Sequence, residues 1–287
     1  MTSPYFTSLS LGAGPPSSAL AIAIADRLKR EVHPGLTFDF GALKVDLLQF
    51  ADTGDELDAT YAHLPRLAAY LEPRGMKLEI VRASHGKSLS QVWFERMAGL
   101  RRSAPALPLY LKGSLAGDGQ ARQQCTSEFK SRVLDANTKR RARAAGVRSG
   151  VRVLMGYLIE EWQRMKTLER YTKWGWDRGY PLIDAKANRG WSEDVCRAAL
   201  GYVPVSSACD HCAHRPSVGP GSRAWIKENE PHRWEKIIRL DAALRHPPGI
   251  DAESAYIAAE RLPVEEALVA AQRQGSLFPC AADGCGV

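Results

Sequence analysis

The segment around the first two glycines most constrains what this chain can fold into. Phe6-Thr7-Ser8-Leu9-Ser10-Leu11 alternates apolar with small polar residues, as a strand does. Gly12-Ala13-Gly14 interrupts the alternation, and residues 19–25 (Ala-Leu-Ala-Ile-Ala-Ile-Ala) are apolar nearly all round, the mark of a buried helix. The pattern reads strand, glycine-rich turn, helix. Gly12 and Gly14 let the backbone approach a bulky ligand and take positive φ. Ser17 and Ser18 are expected to cap the helix. The free N–H groups and dipole of such a helix end favour an anion such as phosphate. A tight strand-to-helix turn with no ligand has the same pattern.

The same period shifts recur downstream. Residues 44–52 are expected to form a second strand, ending in the polar loop Asp52-Thr53-Gly54-Asp55-Glu56. Tyr61, Leu64, Leu67, Ala68 and Leu71 then fall at helical spacing, and Glu72-Pro73-Arg74-Gly75 ends that helix. Residues 77–82 read as a third strand. The order β-α-β-α-β argues for an α/β fold, a Rossmann-like doubly wound parallel sheet. Ligands bind such sheets at the carboxyl ends of the strands. Residues 12–18, 52–56 and 83–88 are therefore expected to line one crevice.

Beyond that point, residues 99–124 are rich in Gly, Pro and Ser and read as a mobile loop. Residues 125–148 read as helical and very basic, above all at Lys139-Arg140-Arg141-Ala142-Arg143. Residues 151–156 are expected to be a strand, 180–184 a short extended piece and 192–200 a helix. After Val203 the composition changes to loops, cysteines and short helices. The expected division is a nucleotide-binding α/β domain over 1–203 and a small cysteine-containing region over 204–287.

A chain of 287 residues with 45% hydrophobic content can bury a sizeable core. No apolar run approaches the ~20 residues that span a bilayer, so no membrane partner is expected. The N-terminus lacks the pattern of a signal peptide, so the expected location is cytoplasmic. A net charge of +7 permits a nucleic-acid or phosphorylated partner without demanding one. Six cysteines in a cytosolic chain point to metal ligation or redox chemistry rather than structural disulfides. Cys209-Asp210-His211-Cys212 is a Cys-x-x-Cys knuckle, a spacing that places two thiolates on one metal ion or on one cluster. With Cys125 and Cys196 it could complete a 4Fe–4S or zinc site. A redox dithiol and ordinary buried thiols are the alternatives. His211 and His214 are expected to stand outside the ligand set. Cys280 and Cys285 form a tail pair suited to a mobile nucleophile or persulfide carrier.

Taken together, Ser10-Leu11-Gly12-Ala13-Gly14-Pro15-Pro16-Ser17-Ser18, Phe50-Ala51-Asp52-Thr53-Gly54-Asp55-Glu56, Gln124-Cys125-Thr126-Ser127-Glu128-Phe129-Lys130, Tyr180-Pro181-Leu182-Ile183-Asp184 and the knuckle with its preceding Pro204-Val205-Ser206-Ser207-Ala208 occur in an order that resembles the phosphoadenosine phosphosulfate (PAPS) reductase family. That family lies within the adenine nucleotide α-hydrolase, or PP-loop ATP pyrophosphatase, superfamily. The resemblance implies an ATP-binding or sulfonucleotide-binding protein. Ser10, Gly12, Gly14, Ser17 and Ser18 would meet phosphate, Asp52 and Thr53 would lie beside the nucleotide, and Lys130 and Arg132 would meet anionic groups. It implies a 4Fe–4S cluster on Cys125, Cys196, Cys209 and Cys212, with zinc as the alternative. Asp52, Lys130 and Cys285 are the expected catalytic residues, Cys285 by likeness to the C-terminal Cys-Gly of sulfonucleotide reductases. The chain departs from the pyrophosphatase signature Ser-Gly-Gly-x-Asp-Ser at Pro16, where the loop aspartate would help hold Mg²⁺. The metal would then depend on Asp52 or Asp55. The tail lacks the Glu and His that flank Cys-Gly in reductases.

Three functions follow as expectations. One is a transferase reaction, ATP-dependent sulfur transfer to a nucleic acid or a small molecule, with residues 139–148 as the nucleic-acid face and a sulfur-donor protein as a further partner. Another is sulfonucleotide reduction through Cys285. The last is a nucleotide- or nucleic-acid-binding protein without catalysis. His85-Gly86-Lys87-Ser88 resembles the end of a Walker A motif but lacks its upstream glycine.

Overall fold

The computed structural model describes residues 5–102, 104, 107–114, 117–148, 150–168, 176–247, 250 and 252–275. In chain order the strands and helices begin β1 (Phe6–Leu11), α1 (Pro15–Ala25), β2 (Lys29–His33), β3 (Leu36–Asp39), β4 (Leu47–Asp52), α2 (Asp58–Leu71), β5 (Leu78–Arg82) and α3 (Leu89–Met97). They continue β6 (Tyr110–Lys112), β7 (Gly119–Gln120), α4 (Arg132–Ala144), β8 (Val151–Met155), α5 (Gln163–Leu168), β9 (Trp176–Gly179), α6 (Pro181–Asp184) and α7 (Arg189–Leu200). The last are α8 (Arg223–Asn229), α9 (Pro231–Ala243), β10 (Ser254–Tyr256) and α10 (Val264–Gly275). The described residues group into two compact bodies. One draws on Met1–Asp52, Ala59–Arg82 and Ser131–Val205, the other on Thr53–Asp58, Ala83–Lys130 and Ser206–Val287. The sequence places its boundary at 203/204; the second body also takes in 53–58 and 83–130.

The first body is an α/β unit around a five-stranded parallel sheet in the order β5-β4-β1-β8-β9. This is the Rossmann-like architecture that the alternation of strand and helix predicts. Its faces follow from the strand period of two. Leu9, Leu11, Leu48, Phe50 and Leu154 point to one face and join α1, α2 and α7 in the main core. Phe6, Leu47, Val151 and Val153 point to the other and pack with Ala142 of α4. Residues 19–23 of α1 are fully enclosed, as their all-round apolarity requires. The chain enters β1 in mid-sheet, adds β4 and β5 on one side and returns for β8 and β9 on the other. The order therefore reverses between β1 and β8, where loops after both strands meet: a Cβ on Gly156 would come within 2.7 Å of Ser17 Cα.

The second body carries the antiparallel sheet β10-β6-β7 and helices α3, α8, α9 and α10. Leu107, Leu109, Ile226, Ile237, Leu240 and Ile257 are among its buried residues. Helix α3 starts on a capping box, Ser88 accepting from the Gln91 N–H and the Gln91 side chain accepting from the Ser88 N–H.

Several local expectations are corrected. Residues 99–124 contain β6 and β7, because a few apolar residues (Leu109, Tyr110, Leu111) suffice for a short strand that pairs with distant β10. Residues 180–184 are not extended: Pro181 opens a short helix, its fixed φ suiting a first helical position. The hairpin β2–β3 was not anticipated. Ser17 and Ser18 do not cap α1, which begins at Pro15 with Gly14 as its N-cap and no side-chain cap. Positive φ in that turn falls on Ala13 (62°), not on Gly12 or Gly14. Among the described residues no helix is long and apolar enough to cross a membrane.

Candidate functional site

The glycine turn of the first body is closed by its own hydrogen bonds. The Gly12 N–H donates to Ser17 Oγ at 3.0 Å, and that hydroxyl donates to Gly14 O at 3.3 Å. The Ser18 N–H donates to Gly14 O. Ser18 Oγ lies 2.9 Å from His63 Nε2, and His63 Nδ1 lies 2.9 Å from the Tyr202 hydroxyl. Burial, with Arg66 adding to it, pushes the His63 pKa down to about 4, so the imidazole is neutral at pH 7. Of the serine hydroxyls expected for phosphate contact, that of Ser17 thus closes the turn and that of Ser18 is engaged by His63. Pro15 and Pro16 have no N–H to offer an anion. Ser10 stands near the carboxyl end of β1 beside Gln49 and Met155. Asp52 ends β4 buried, accepting from the Tyr61 hydroxyl at 2.8 Å and from Arg82 Nε at 2.7 Å. Cys196 is enclosed in the core of the same body, its thiol donating to Pro15 O at 3.6 Å. Burial pushes its pKa up to about 12. Arg132 is exposed at the start of α4.

The second body gathers the other named groups. Gly54 has φ +78°, and a Cβ there would lie 2.5 Å from Ser88 Cβ, so the Thr-Gly-Asp turn needs glycine to abut the residues before α3. The Leu89 N–H donates to Thr53 O at 3.1 Å, and Ser90 donates its N–H and hydroxyl to Asp55. The loops at 53–56 and 88–90 are thereby joined. Thr53 Oγ1 donates to Glu56 Oε1 (3.2 Å) and lies 3.3 Å from Cys209 Sγ. Lys130 Nζ ion-pairs with Glu56 at 3.2 Å. Burial opposes the lysine's charge, but Glu56, Cys209 and Cys212 hold its pKa above the usual range. Cys125 interacts electrostatically with Cys212, and Cys212 with Cys209. Burial raises the Cys125 and Cys209 pKa values, against the favourable influence of Lys130.

Two arginines frame this thiol group. Arg215 donates to the carbonyls of Ala208, Cys209 and Gly221; Arg223 donates to those of Cys212, Ala213 and Ile257. They are only 3% and 4% exposed, and neither forms an ion pair among the described residues. Burial lowers both pKa values, while Cys212 and Glu56 work to keep Arg215 charged and Glu260 and Cys212 do so for Arg223. Buried guanidinium groups with neutral partners leave positive charge to be balanced. Glu56 for Arg215 and Glu260 for Arg223 are carboxylates placed to balance it.

Asp55, Asp210 and His211 also bring ligand-type atoms within 4.8 Å of one another. Their charge is already matched. Lys236 binds both carboxylates, at 2.9 Å for Asp55, and Arg233 binds Asp210 at 3.1 Å. His211 Nδ1 lies 2.7 Å from Asp210 Oδ1. Burial works against ionisation of Asp210, yet His211 and Lys236 hold its pKa at about 2. A cation here would have to displace Lys236, while the buried His211 Nε2 has no hydrogen-bond partner, so the group braces the knuckle by ion pairs and also offers a candidate metal site. The Asp210 N–H adds to it by donating to Asp55 O at 2.7 Å.

Of the four expected ligand cysteines, three belong to the second body and Cys196 to the first; among the described residues they do not draw together into a ligand cluster, and the three ligand-type side chains with atoms within 4.8 Å of one another, Asp55, Asp210 and His211, include no cysteine. Cys280 and Cys285 lie outside the described residues. Sequence reasoning missed His63, Arg215, Arg223, Arg233 and Lys236, whose roles depend on partners distant in the chain. Glu56, next to Asp55, was seen only as part of a loop. No protein-family model matches the chain, and none of the curated proteins compared with it does either.

Proposed function

We propose that the protein is a PAPS reductase-like, nucleotide-binding metal–thiolate enzyme that transfers sulfur to an acceptor. The observation that supports this best is that Cys125, Cys209 and Cys212 belong to one body with Lys130, which ion-pairs with Glu56 and whose charge Cys209 and Cys212 favour. Cys125, Cys209 and Cys212 would hold the group from the second body. A 4Fe–4S cluster would supply a site for sulfide or electrons; zinc would supply a structural anchor. Lys130 keeps a positive charge next to the thiols and suits it to stabilise negative charge developing on a nucleotide or its leaving group. The turn at residues 12–18 presents the nucleotide phosphates with backbone rather than hydroxyls, since the Ser17 and Ser18 side chains are engaged.

The test is metal and sulfide analysis with an absorption spectrum of anaerobically purified protein, beside Cys209→Ser. Iron and sulfide with a broad band near ~400 nm, lost in the variant, is the expected result. A folded wild type without metal would overturn the reading, and zinc alone would overturn the sulfur-carrying role. ATP, in turn, should bind with micromolar affinity in calorimetry.

Sulfonucleotide reduction is the second reading. It is favoured by the ion pairing of both carboxylates available for Mg²⁺, Asp52 to Arg82 and Asp55 to Lys236. Reduction needs phosphate binding but no metal-assisted cleavage of ATP. Sulfite release from PAPS or its 5′-phosphosulfate analogue, with a thiol reductant, separates the two.

A further inference from the structure

The first body presents a basic surface that its own structure neutralises only in part. Helix α4 lies across one face of the sheet and is pinned there by polar contacts. Asn137 Nδ2 donates to Gln49 Oε1 at 3.0 Å, and Gln49 Nε2 donates to Thr138 Oγ1 at 2.6 Å and to Ser8 Oγ at 2.9 Å. With Asn137, Thr138 and Ala142 turned inward, Lys139, Arg140, Arg141 and Arg143 are all exposed. Their direction is therefore set by the buried amide network rather than by the flexibility of the side chains.

Charge balance on this face is incomplete. One carboxylate, Glu79 on β5, serves two guanidinium groups, Arg140 at 3.1 Å and Arg141 Nε at 2.8 Å. Lys139 and Arg143 stand at i and i+4, a like-charge pair that works against the helix. The helix dipole accounts for Arg141 and Arg143 in the last turn. It does not account for Lys139 in mid-helix or for Arg178. Strand register places Trp176 and Arg178 opposite Val151 and Val153, on the face that α4 covers. There Lys139 Nζ lies 5.5 Å from the centre of the half-buried Trp176 ring. Asp135 is influenced by both Arg178 and Lys139. Cations thus extend from the β5 side of the helix to the edge strand β9, where they meet an aromatic ring.

We infer that this face binds the phosphodiester backbone of a nucleic acid. Guanidinium groups dominate it, and their planar forks match phosphate oxygens better than an ammonium does. Backbone binding needs closely spaced cations and no deep pocket. This names the acceptor class for the sulfur-transfer reading. Its test needs neither metal nor nucleotide, so one can fail while the other stands.

The experiment is fluorescence anisotropy of the full chain with labelled single-stranded and duplex DNA and RNA, across a salt series. The variant is Lys139→Glu with Arg143→Glu, which spares the Glu79 pairs, and Lys227→Glu on α8 is the control. Saturable binding that weakens steeply with salt is expected. The double variant should lose at least about tenfold in affinity and flatten the log–log salt slope by about one to two units, since each single-strand phosphate contact contributes ~0.7. Lys227→Glu should bind as wild type. If circular dichroism shows the double variant misfolded, Lys139→Gln with Arg143→Gln takes its place. Wild-type affinity in the folded variant would overturn the inference. So would equal binding to polyglutamate or to phosphatidylserine vesicles, which would mark a general anion surface. Absence of binding to every oligonucleotide at about 0.1 M salt would also overturn it.

Discussion

At the scale of single residues, the fold depends on polar groups whose partners are far away in sequence. His63 is the clearest case. It is 2% exposed, between Ser18 and Tyr202, and its pKa is lowered from 6.5 to about 4. In the unfolded chain the imidazole takes a proton near pH 6.5, whereas in the folded chain it resists until about pH 4. Between those values the unfolded state binds more protons, so stability falls as pH falls. The contribution of neutral His63 is complete above pH 6.5 and is lost progressively down to about pH 4. At 1.36 kcal/mol per pKa unit, the full loss is about 3 kcal/mol at most. Urea unfolding of wild type between pH 7 and 4 should show this decline, and His63→Gln should be less stable at pH 7 but flatter over the same range. Identical slopes in the two proteins would show that another group sets the pH dependence. No sequence signal marks His63 as such a residue: it falls on α2 among apolar positions, and only the buried serine of α1 explains it.

The elements were readable to different degrees for a physical reason. β1 and α2 carry period-two or helical patterns because each buries one face in the core, while α1 and β4 read as apolar runs because they are enclosed on all sides. β6, β7 and β10 have two or three residues each, too few to show a period, and their pairing is entirely non-local. The end of the chain is organised in a similar way. Asp241 on α9, 2% exposed, accepts from the Ile257 N–H at 3.0 Å and from the Val264 N–H at the start of α10 at 3.2 Å. It also pairs with Arg245 at 2.7 Å. One carboxylate thus holds the chain after β10 and the first turn of α10, where the helix dipole favours negative charge. Asp241→Ala would leave two buried N–H groups without an acceptor, a loss of about 3 kcal/mol. Thermal unfolding should show a clear fall in midpoint, with a smaller fall for Asp241→Asn, which keeps one acceptor oxygen. An unchanged midpoint in Asp241→Ala would mean that water replaces the carboxylate there.

At the scale of the whole molecule, the composition change after Val203 reads as a domain boundary, yet the chain from Ser206 onward does not make a body by itself. The second body takes Thr53–Asp58 and Ala83–Lys130 as well. Composition is a local property, and it cannot reveal that β10 pairs with β6, that Asp58 binds Arg233, or that Asp55 binds Lys236. The same assembly brings Cys125 to Cys212 across a long stretch of sequence, which is why the knuckle was legible and its surroundings were not. A fragment containing residues 206–287 would leave β10 without a strand partner. It would also leave Lys236 and Arg233 without Asp55 and Asp58, and Cys209 without Thr53. Few short elements would remain to bury apolar surface, and a segment of that size has little core to spare. Circular dichroism should therefore find the fragment without a cooperative melting transition, while the full chain melts cooperatively under the same conditions. A cooperative transition in the fragment would show that α8, α9 and α10 suffice to fold on their own. In that case the ion pairs to Asp55 and Asp58 would serve to dock a finished unit rather than to build it, and metal held by Cys209 and Cys212 alone should then stabilise the fragment.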